Sequence, residues 1–321
     1  MNTKMNYTLS ALVFAAFTCG SNGALAGQLS CGDTIVVDTK LYADLVDCPG
    51  DGIVIGADGV TLNLNGHTID GSGSGIGPGE WDPGAGVAVR FHKGVTVKNG
   101  SIREFSQGVV LDNAEDARVQ GLTLTANMRG IELAITDGSV VEKNSIAGSE
   151  LDGIRLGSSS GNLIQKNHLV GNVFGVGIAD GSGGNVVAKN QIHDGVTGMF
   201  VFNNCDANKV VKNEITGNGE VGISVAQNSN RTLLEKNNAE ENGWDGIFVG
   251  SGLTGTVLVK NTSIGNGQDG IQVESAYSAL VKNTANHNAN IGINAVVGVL
   301  DGGGNNAEGN GVADCVNVAC K

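Results

Sequence analysis

Residues 130–180 read GIELAITDGSVVEKNSIAGSELDGIRLGSSSGNLIQKNHLVGNVFGVGIAD, which is two copies of one pattern and the start of a third. Each copy begins with a glycine followed by an aliphatic residue. A period of this length predicts a stack of repeats, because one unit cannot bury its apolar side without its neighbours. Units of the same kind begin every 22 to 24 residues at Gly86, Gly108, Gly130, Gly153, Gly175, Gly198, Gly222, Gly246, Gly270 and Gly292.

Each unit contains three short segments of strand-forming sequence. The first and third residues after the glycine are nearly always apolar, as in Ile131 and Leu133, and such alternation indicates a strand. A second apolar pair follows, such as Val140-Val141, and a third segment begins after an asparagine. Because the same face recurs in the same order, the coils must stack in parallel rather than form hairpins. We therefore expect an all-β parallel β-helix with three short strands per coil and about 10–11 coils.

Asparagines recur in two columns of the aligned units. We interpret both columns as structural, because Asn tolerates the left-handed conformation of a sharp bend and its amide can bond to the next Asn in the stack. The first column contains Asn144, Asn167, Asn190, Asn213, Asn237, Asn261, Asn283 and Asn305. The second column contains Asn172, Asn218, Asn242, Asn266, Asn288 and Asn310.

The first coil opens with residues 51–71, DGIVIGADGVTLNLNGHTIDG. With the glycine period and the Asn column, this segment resembles the right-handed parallel β-helix repeat proteins of the pectate lyase-like (pectin lyase fold) superfamily, over about residues 30–312. The resemblance implies a single-stranded, right-handed solenoid. It does not specify a reaction, since the superfamily includes lyases, glycoside hydrolases, epimerases, adhesins and tail-spike proteins.

The ends of the chain predict export and stabilised termini. Residues 1–26 combine Lys4, an apolar stretch and Ala24-Leu25-Ala26, which predicts a signal peptide cleaved near Ala26 and a secreted or periplasmic protein. We expect an N-terminal cap at 27–51, a β-helix at 52–311 and a tail at 312–321. Export favours disulfide bonds, and the predicted pairs are Cys31 with Cys48 and Cys315 with Cys320, which leaves Cys205 as a lone buried thiol.

Charge and hydropathy restrict the partners. The formal net charge of −13 argues against binding nucleic acid. No segment after the signal peptide is apolar for the ~20 residues that a membrane span needs. The five histidines lie in different columns, and no Cys–His spacing resembles a zinc site, so no cofactor is certain. A copper role would need His or Met clusters.

A mixture of charges marks the outward positions of the first strands between Gly86 and Gly153. Arginines and carboxylates this close together suit an acidic sugar. In this hypothesis Asp112, Glu132 and Asp152 neutralise a uronate through Ca²⁺ or by sharing a proton, and an arginine abstracts the C5 proton. The alternative is that they form solvated ion pairs. The candidate catalytic residues are Arg129, Glu132, Asp152 and Arg155, and Arg90 is a candidate for substrate binding.

A second group of acids lies further along the chain. Asp245 and Asp269 occupy the same place on neighbouring rungs, which predicts a separation of ~5 Å and one raised pKa. They are an alternative acid–base pair or metal site, with Glu274 nearby. At most a fragment of the motifs expected of a polygalacturonase-like hydrolase is present. We expect four aromatic residues on this face or at its edge: Phe200, Phe202, Trp244 and Phe248. They form either a platform on which sugars stack or an apolar patch that is covered.

Lysines precede the first-column asparagines at seven consecutive rungs. Like charges in register repel, which suggests a polyanion stripe, but long side chains that spread into solvent explain them more simply. The insertion at residues 73–85, with Trp81, is expected beside Arg90. The sequence thus favours a protein that acts on or binds an extracellular, uronate-containing polysaccharide, as a lyase or C5-epimerase if it is catalytic. A noncatalytic carbohydrate-binding or cell-surface structural β-helix is the alternative.

Overall fold

The computed structural model describes residues 29–73 and 84–321. The predicted signal peptide and most of the insertion at 73–85, including Trp81, lie outside the described residues. Within them the chain winds as a solenoid whose coils each contribute up to three parallel strands. The part of the chain that the structure describes forms no helix, and therefore no helical segment that could cross a membrane.

The first strand of each coil joins one sheet, which we call the front sheet. All of its neighbouring strands pair in parallel. In the described residues it contains thirteen strands: Asp33–Ile35, Ile53–Ile55, Ala85–Arg90, Gln107–Asp112, Arg129–Ala134, Asp152–Gly157, Phe174–Ala179, Thr197–Val201, Ile223–Val225, Ile247–Val249, Ile271–Val273, Ile291–Ala295 and Ala313–Val316.

The second and third strands of the coils form the other two sides of the solenoid. Two long strands, Thr96–Arg103 and Arg118–Thr125, span both sides. The remaining second strands are Thr39–Lys40, Thr61–Asn63, Val140–Glu142, Leu163–Gln165, Val186–Ala188, Lys209–Val211, Leu233–Glu235, Thr254–Val259, Tyr277–Val281 and Leu300–Asp301. The remaining third strands are Leu45–Cys48, Thr68–Gly71, Ser145–Ala147, His168–Val170, Gln191–His193, Glu214–Thr216, Asn238–Glu240, Thr262–Ile264, Thr284–Asn286 and Asn306–Glu308.

In-register pairing places equivalent apolar residues above one another inside the solenoid. Ile131 pairs with Ile154 and Leu133 with Leu156, and all four side chains are fully buried. Stacked aliphatic columns of this kind run along one continuous core from Ile35 to Ala307. The alternation seen in the sequence therefore separates core residues from the outward residues of the front sheet.

The glycine that opens each unit is required by close packing. A Cβ on Gly130 would lie 2.5 Å from the carbonyl oxygen of Gly153 and 2.5 Å from Cγ2 of Ile146. Most of the other leading glycines meet the next rung in the same way. Glycine therefore recurs once per coil because the backbone of the next rung and a core side chain lie too close to this position for any Cβ.

The first asparagine column is a buried hydrogen-bonded ladder. Asn190 Nδ2 donates to the carbonyl of Ile164 and to Oδ1 of Asn213, both at 3.0 Å. The backbone N–H of Asn167 donates to Oδ1 of Asn190 at 2.9 Å. The column is structural, as predicted, but the left-handed residue at the bend is the preceding lysine, such as Lys189 with φ 59°. This conformation costs an ordinary L-residue roughly 1–2 kcal/mol.

Two further amide ladders provide hydrogen-bond partners for the buried backbone groups at the other corners. The predicted second column is bonded in the same way from Asn218 to Asn310. A third, shorter ladder joins Asn162, Asn185 and Asn208, and the sequence reading missed it. Ser and Thr occupy the equivalent corner position in neighbouring rungs, at Ser139 and Thr232, and this substitution hides the period of the third ladder.

Both predicted disulfide bonds are present, and the solenoid extends further than the expected boundaries of 52–311. Cys31–Cys48 lies within the first coil, whose strands begin at Asp33–Ile35, and Cys315–Cys320 closes the last. The segments expected to be caps therefore contribute strands. Cys205 is a buried free thiol, as expected, and its Sγ donates to the carbonyl of Phe202 at 2.9 Å. Disulfide bonds fit an oxidising compartment.

The C-terminal end of the first ladder is closed by Asp301. Its Oδ1 accepts from Asn305 Nδ2 at 3.1 Å, and its Oδ2 accepts from the backbone N–H of Ala319 at 2.8 Å. Backbone hydrogen bonds, above all from Ala319 and Gly303, hold the pKa of this carboxyl below its ordinary value. The last amide of the ladder is thus satisfied by a carboxylate instead of another asparagine.

We expect Asn190→Ala to lower the free energy of unfolding by about 3 kcal/mol, because it leaves the carbonyl of Ile164 and the N–H of Asn167 buried without partners. Urea denaturation followed by circular dichroism measures the change. Asn306→Ala is the control, since Asn306 makes no side-chain hydrogen bond within the described residues. Equal losses in the two variants would contradict a structural role for the ladder.

Candidate functional site

Outward side chains of the front sheet form three columns, located one residue before and two and four residues after each leading glycine. These columns lie side by side on the outward face because the strands pair in register. Where neighbouring rungs carry opposite charges, ion pairs cross the strands.

Two adjacent rungs bring four charged residues into a square. Arg129 and Glu132 lie on one strand, and Asp152 and Arg155 lie on the next, with Glu132 in register with Arg155. Arg129 Nε donates to Asp152 Oδ2 at 3.3 Å, and Arg129 Nη1 donates to Glu132 Oε2 at 3.4 Å. Arg155 Nη1 lies 4.0 Å from Asp152 Oδ1. The structure therefore brings together all four primary candidates, which we call the charged square.

Asp152 is the buried member of the charged square. Its side chain is 4% exposed, whereas those of Arg129 and Arg155 are 23% and 22% exposed. Burial raises the pKa of the Asp152 carboxyl above its ordinary value, although Arg155 and Arg129 lower it. Its Oδ1 is buried without a hydrogen-bond partner. A buried polar atom of this kind calls for an explanation such as a bound group or water.

A glycine allows an aromatic ring to pack against this carboxylate. Asp152 pairs with Phe174 of the next rung, and Gly177 lies opposite Arg155. A Cβ on Gly177 would come within 2.6 Å of Asp152 Oδ1 and 2.5 Å of Cζ of Phe200. Any side chain at Gly177 would therefore crowd both the unpartnered oxygen and the neighbouring aromatic ring.

Aromatic rings border the charged square on its C-terminal side. The guanidinium of Arg155 lies 5.5 Å from the ring centroid of Phe200. Phe200 contacts Phe174 edge to face at 5.2 Å and Phe202 at 5.1 Å. The sequence reading singled out Phe200 and Phe202 but missed Phe174, whose place directly before Gly175 is the signal that identifies it.

Asp180 is a second residue that the sequence reading missed. Its Oδ2 accepts from Arg155 Nη2 at 2.8 Å, and its Oδ1 accepts from Asn203 Nδ2 at 2.9 Å. Hydrogen bonds from Asn203 and then Arg155 lower the pKa of Asp180. The residue lies in the turn after its strand, outside the columns that the repeat alignment compares.

The structure does not place Arg90 and Asp112 in the charged square. Arg90 donates to Asp51 at 2.7 Å and pairs in register with Asp112. Asp112 pairs on its other side with Ala134, two residues along the strand from Glu132. The expected Ca²⁺ site of Asp112, Glu132 and Asp152 is therefore wrong. The described residues contain no group of three or more His, Cys, Asp or Glu side chains that could hold a metal ion.

The second acidic group forms as a cross-rung pair. Asp269 donates its backbone N–H to Asp245 Oδ1 at 2.9 Å. Desolvation raises the pKa of Asp245 to about 6, and Asp269 and Glu274 contribute repulsion. Asp269 accepts from Asn290 Nδ2, Asn294 Nδ2 and the N–H of Ile291, at 2.7, 2.8 and 3.0 Å. One carboxyl is thus favoured in its neutral form, while the other receives three donors.

The four predicted aromatic residues form two separate groups. Phe200 and Phe202 belong with Arg155, whereas Phe248 lies two rungs further on, beyond Ser224. Trp244 precedes Asp245 and is 47% exposed. A continuous stacking platform over all four residues does not form.

Comparisons with known proteins agree with this architecture. A family model described as the right handed beta helix region matches residues 85–239. Solved structures similar to the chain include the periplasmic alginate epimerase AlgG, at 16% identity and a TM-score of 0.69 over 87% of this chain and 74% of that one. The chain is a right-handed parallel β-helix with the pectate lyase-like fold.

Two other solved structures share the β-helix. The pectate lyase Pel9A aligns at 14% identity and a TM-score of 0.56, over 89% of this chain and 80% of that one. The A-module of the mannuronan C-5 epimerase AlgE6 from Azotobacter vinelandii aligns at 14% identity and a TM-score of 0.54, over 90% of each chain. No curated protein sequence matches the chain significantly.

A second family model, described as periplasmic copper-binding protein (NosD), matches residues 180–319 of the β-helix. The residues present do not fit a copper site. The matched segment contains two histidines, His193 and His287, in different columns, and its one methionine, Met199, is fully buried. We derive no chemistry from copper.

The raised pKa of Asp245 predicts a pH-dependent stability. Folding raises this pKa from 3.8 to about 6, so the folded state binds the proton more tightly. Asp245 therefore contributes on the order of 2–3 kcal/mol to the free energy of unfolding below pH 4, and this contribution is lost as the pH rises through 6.

We expect Asp245→Asn to remove this loss, so that the variant gains stability relative to wild type between pH 4 and 7. Urea denaturation across that range measures the difference. Asp206→Asn, at an exposed ion pair with Arg231, is the control and should show no such gain. Parallel pH profiles for wild type and Asp245→Asn would contradict the raised pKa.

Proposed function

We propose that this β-helix is a secreted or periplasmic protein that acts on a uronate-containing polysaccharide at the charged square. The observation that carries the proposal is Asp152: a buried carboxyl between two arginines, whose Oδ1 has no hydrogen-bond partner. The fold is shared with alginate epimerases and a pectate lyase, which supports a carbohydrate substrate as an analogy at the level of the fold.

In the proposed complex a uronate carboxylate lies against Asp152 Oδ1 and Arg155. Burial raises the pKa of Asp152, and a substrate carboxylate brought against it raises that pKa further, so the two carboxyl groups can share one proton. Sharing the proton offsets the negative charge that develops on this carboxylate when the C5 proton leaves. Arg129 and Arg155 add fixed positive charge on either side.

The proton acceptor is assigned to Glu132. The sequence favours an arginine as the base, but a guanidinium does not give up its proton in proteins and therefore cannot accept another. Glu132 is the charged square's second carboxylate, 21% exposed and in register with Arg155. The arginines then serve to bind and neutralise the substrate, and Phe200 offers an apolar surface to a sugar ring.

Two reactions follow from removal of the C5 proton. In β-elimination the electron pair forms a C4–C5 double bond, the C4–O bond breaks, and the leaving oxygen takes a proton. In epimerisation a proton returns to C5 from the opposite face, and no bond of the chain is broken. Both need the neutralised carboxylate, so the charged square is compatible with either.

Asp245 and Asp269 support a second candidate, acid–base catalysis on a glycan about four rungs away. The observation that favours it is the separation of roles: Asp245 has a raised pKa, and its Oδ2 makes no hydrogen bond within the described residues. Trp244 and Phe248 border it. This candidate predicts that Asp245→Asn, and not Asp152→Asn, abolishes activity.

The test is to incubate the purified protein with polygalacturonate, polymannuronate and polyguluronate, each with Ca²⁺ or with EDTA. Ultraviolet absorbance of the conjugated uronate reports unsaturated ends. Proton exchange at C5 in ²H₂O without cleavage reports epimerisation. We expect Arg155→Ala and Glu132→Gln each to lower kcat/KM at least about 100-fold, as for the loss of a charge-stabilising or proton-accepting group. Arg231→Ala is the matched control, because it breaks a 2.8 Å ion pair away from the front sheet.

Absence of both signals with every substrate, together with retained binding to a glycan array, would overturn catalysis and support the noncatalytic alternative. Equal losses in Arg155→Ala and Arg231→Ala would attribute the effect to folding.

A glycine substitution tests the surroundings of Asp152 Oδ1 without changing the charge. We expect Gly177→Ala to raise KM for the active polyuronate by about tenfold or more, because its Cβ crowds the oxygen that receives the substrate. Gly157→Ala, one rung earlier on the same face, is the matched control, since a Cβ there would have only Asp180 Oδ2 within reach, at 4.0 Å. Steady-state kinetics that are unchanged in Gly177→Ala would contradict the assignment.

A further inference from the structure

Seven consecutive rungs carry a lysine at the corner between the second and third strands. All seven side chains are exposed, and every one of these residues is left-handed, with φ between 56° and 59°. We call this row the lysine ridge; its members are Lys143, Lys166, Lys189, Lys212, Lys236, Lys260 and Lys282.

The backbone at this corner does not favour lysine. The rungs on either side of the ridge use residues suited to positive φ, namely Asn99, Gly121 and Gly304. The next corner of the coil uses glycine in four of the same seven rungs, at Gly148, Gly171, Gly217 and Gly265. Lysine therefore occupies a position where glycine or asparagine costs less, so the side chain itself explains its presence.

The charges of the ridge are left largely unpaired. Stacked rungs place equivalent residues ~4.8 Å apart, so the seven lysines span about 29 Å. Lys236 bonds to Glu235 at 2.7 Å, and the other six make no ion pair within the described residues. Unpaired like charges in register repel one another. They do so in a chain whose net charge is −13.

A shallow groove of about 330 Å³ lies along the ridge. Its walls include Lys166, Lys189 and Lys212, together with the polar side chains of His168 and Gln191. It also contains one carboxylate, that of Glu214, which accepts a hydrogen bond from Gln191 at 3.3 Å. The lining residues contain no Phe, Tyr or Trp. The groove thus offers cations and hydrogen-bonding groups, and it lacks the rings that stack nucleic-acid bases.

We propose that the lysine ridge is a second binding surface, which holds a linear acidic polysaccharide along the solenoid axis. A carboxylate-bearing chain relieves the repulsion between lysines by placing anions along the row, and its hydroxyl groups suit the amide and imidazole groups of the groove. The ridge is the corner that does not border the front sheet, so it is separate from the charged square. The uronate class of the ligand rests on the function proposed above.

A triple variant, Lys166→Asn/Lys189→Asn/Lys212→Asn, removes charge while installing residues that the backbone tolerates. We expect its melting temperature to equal or exceed that of wild type, because Asn accepts positive φ more readily than Lys. We expect its affinity for polygalacturonate or alginate chains of about 20 sugars to fall at least about tenfold, with a weaker dependence on salt.

Two controls isolate position from total charge. The triple variant Lys40→Asn/Lys93→Asn/Lys321→Asn makes the same change in net charge away from the ridge and should keep wild-type affinity. Replacing the three ridge lysines by arginine should also keep it. Wild-type affinity should rise with chain length until the chain spans the seven lysines, at about 29 Å.

The failure of this inference is distinct from failure of the proposed function. Ridge variants should turn over uronate trimers at the wild-type rate, and in an Asp152→Asn background the affinity for long chains should still fall when the ridge lysines are replaced. Equal affinity in the ridge and off-ridge triple variants would overturn the inference. So would lysine-dependent binding of single-stranded DNA or anionic vesicles with no binding of polyuronate, which would assign the ridge to another polyanion.

Discussion

Burial of the corner amides is the constraint on which the structure depends. A coil of three short strands turns sharply three times, and each turn points backbone N–H and C=O groups toward an interior where water cannot satisfy them. Asn190 and its equivalents resolve this by bonding to both the rung before and the rung after. Because each side chain needs the next one, the ladder enforces strict register, and register in turn builds the outward columns.

In the front sheet, this register places charged side chains of neighbouring rungs next to one another. Residues 23 apart in sequence, such as Arg129 and Asp152, come within hydrogen-bonding distance because their rungs cannot slip. The surroundings of each acid then set its proton affinity: burial raises the pKa of Asp152, while hydrogen bonds from Asn203 and Arg155 lower the pKa of Asp180 in the turn. A rigid scaffold therefore positions groups whose proton affinities differ.

Periodic features could be predicted from the sequence, and aperiodic ones could not. Alignment on the leading glycine predicts the strands, the two asparagine columns and the grouping of Arg129, Glu132, Asp152 and Arg155. It does so because residues at equivalent places in successive units lie next to one another when the rungs stack in register. The third amide ladder was hidden by Ser and Thr substitutions. Asp180 lies in a turn outside the alignment, and the Ca²⁺ site failed because Asp112 lies in a different column from Glu132.

The carboxylate of Asp301 ends the asparagine ladder, and this has a consequence for how the solenoid comes apart. Every internal rung is protected by two neighbours, so dissolution of a stacked array starts at an end. At the C-terminal end the last amide and two backbone N–H groups depend on a carboxyl group with a lowered pKa, whose stabilisation is lost as the pH falls through that pKa. Acid therefore weakens the closure of the last coil, which Cys315–Cys320 still ties covalently.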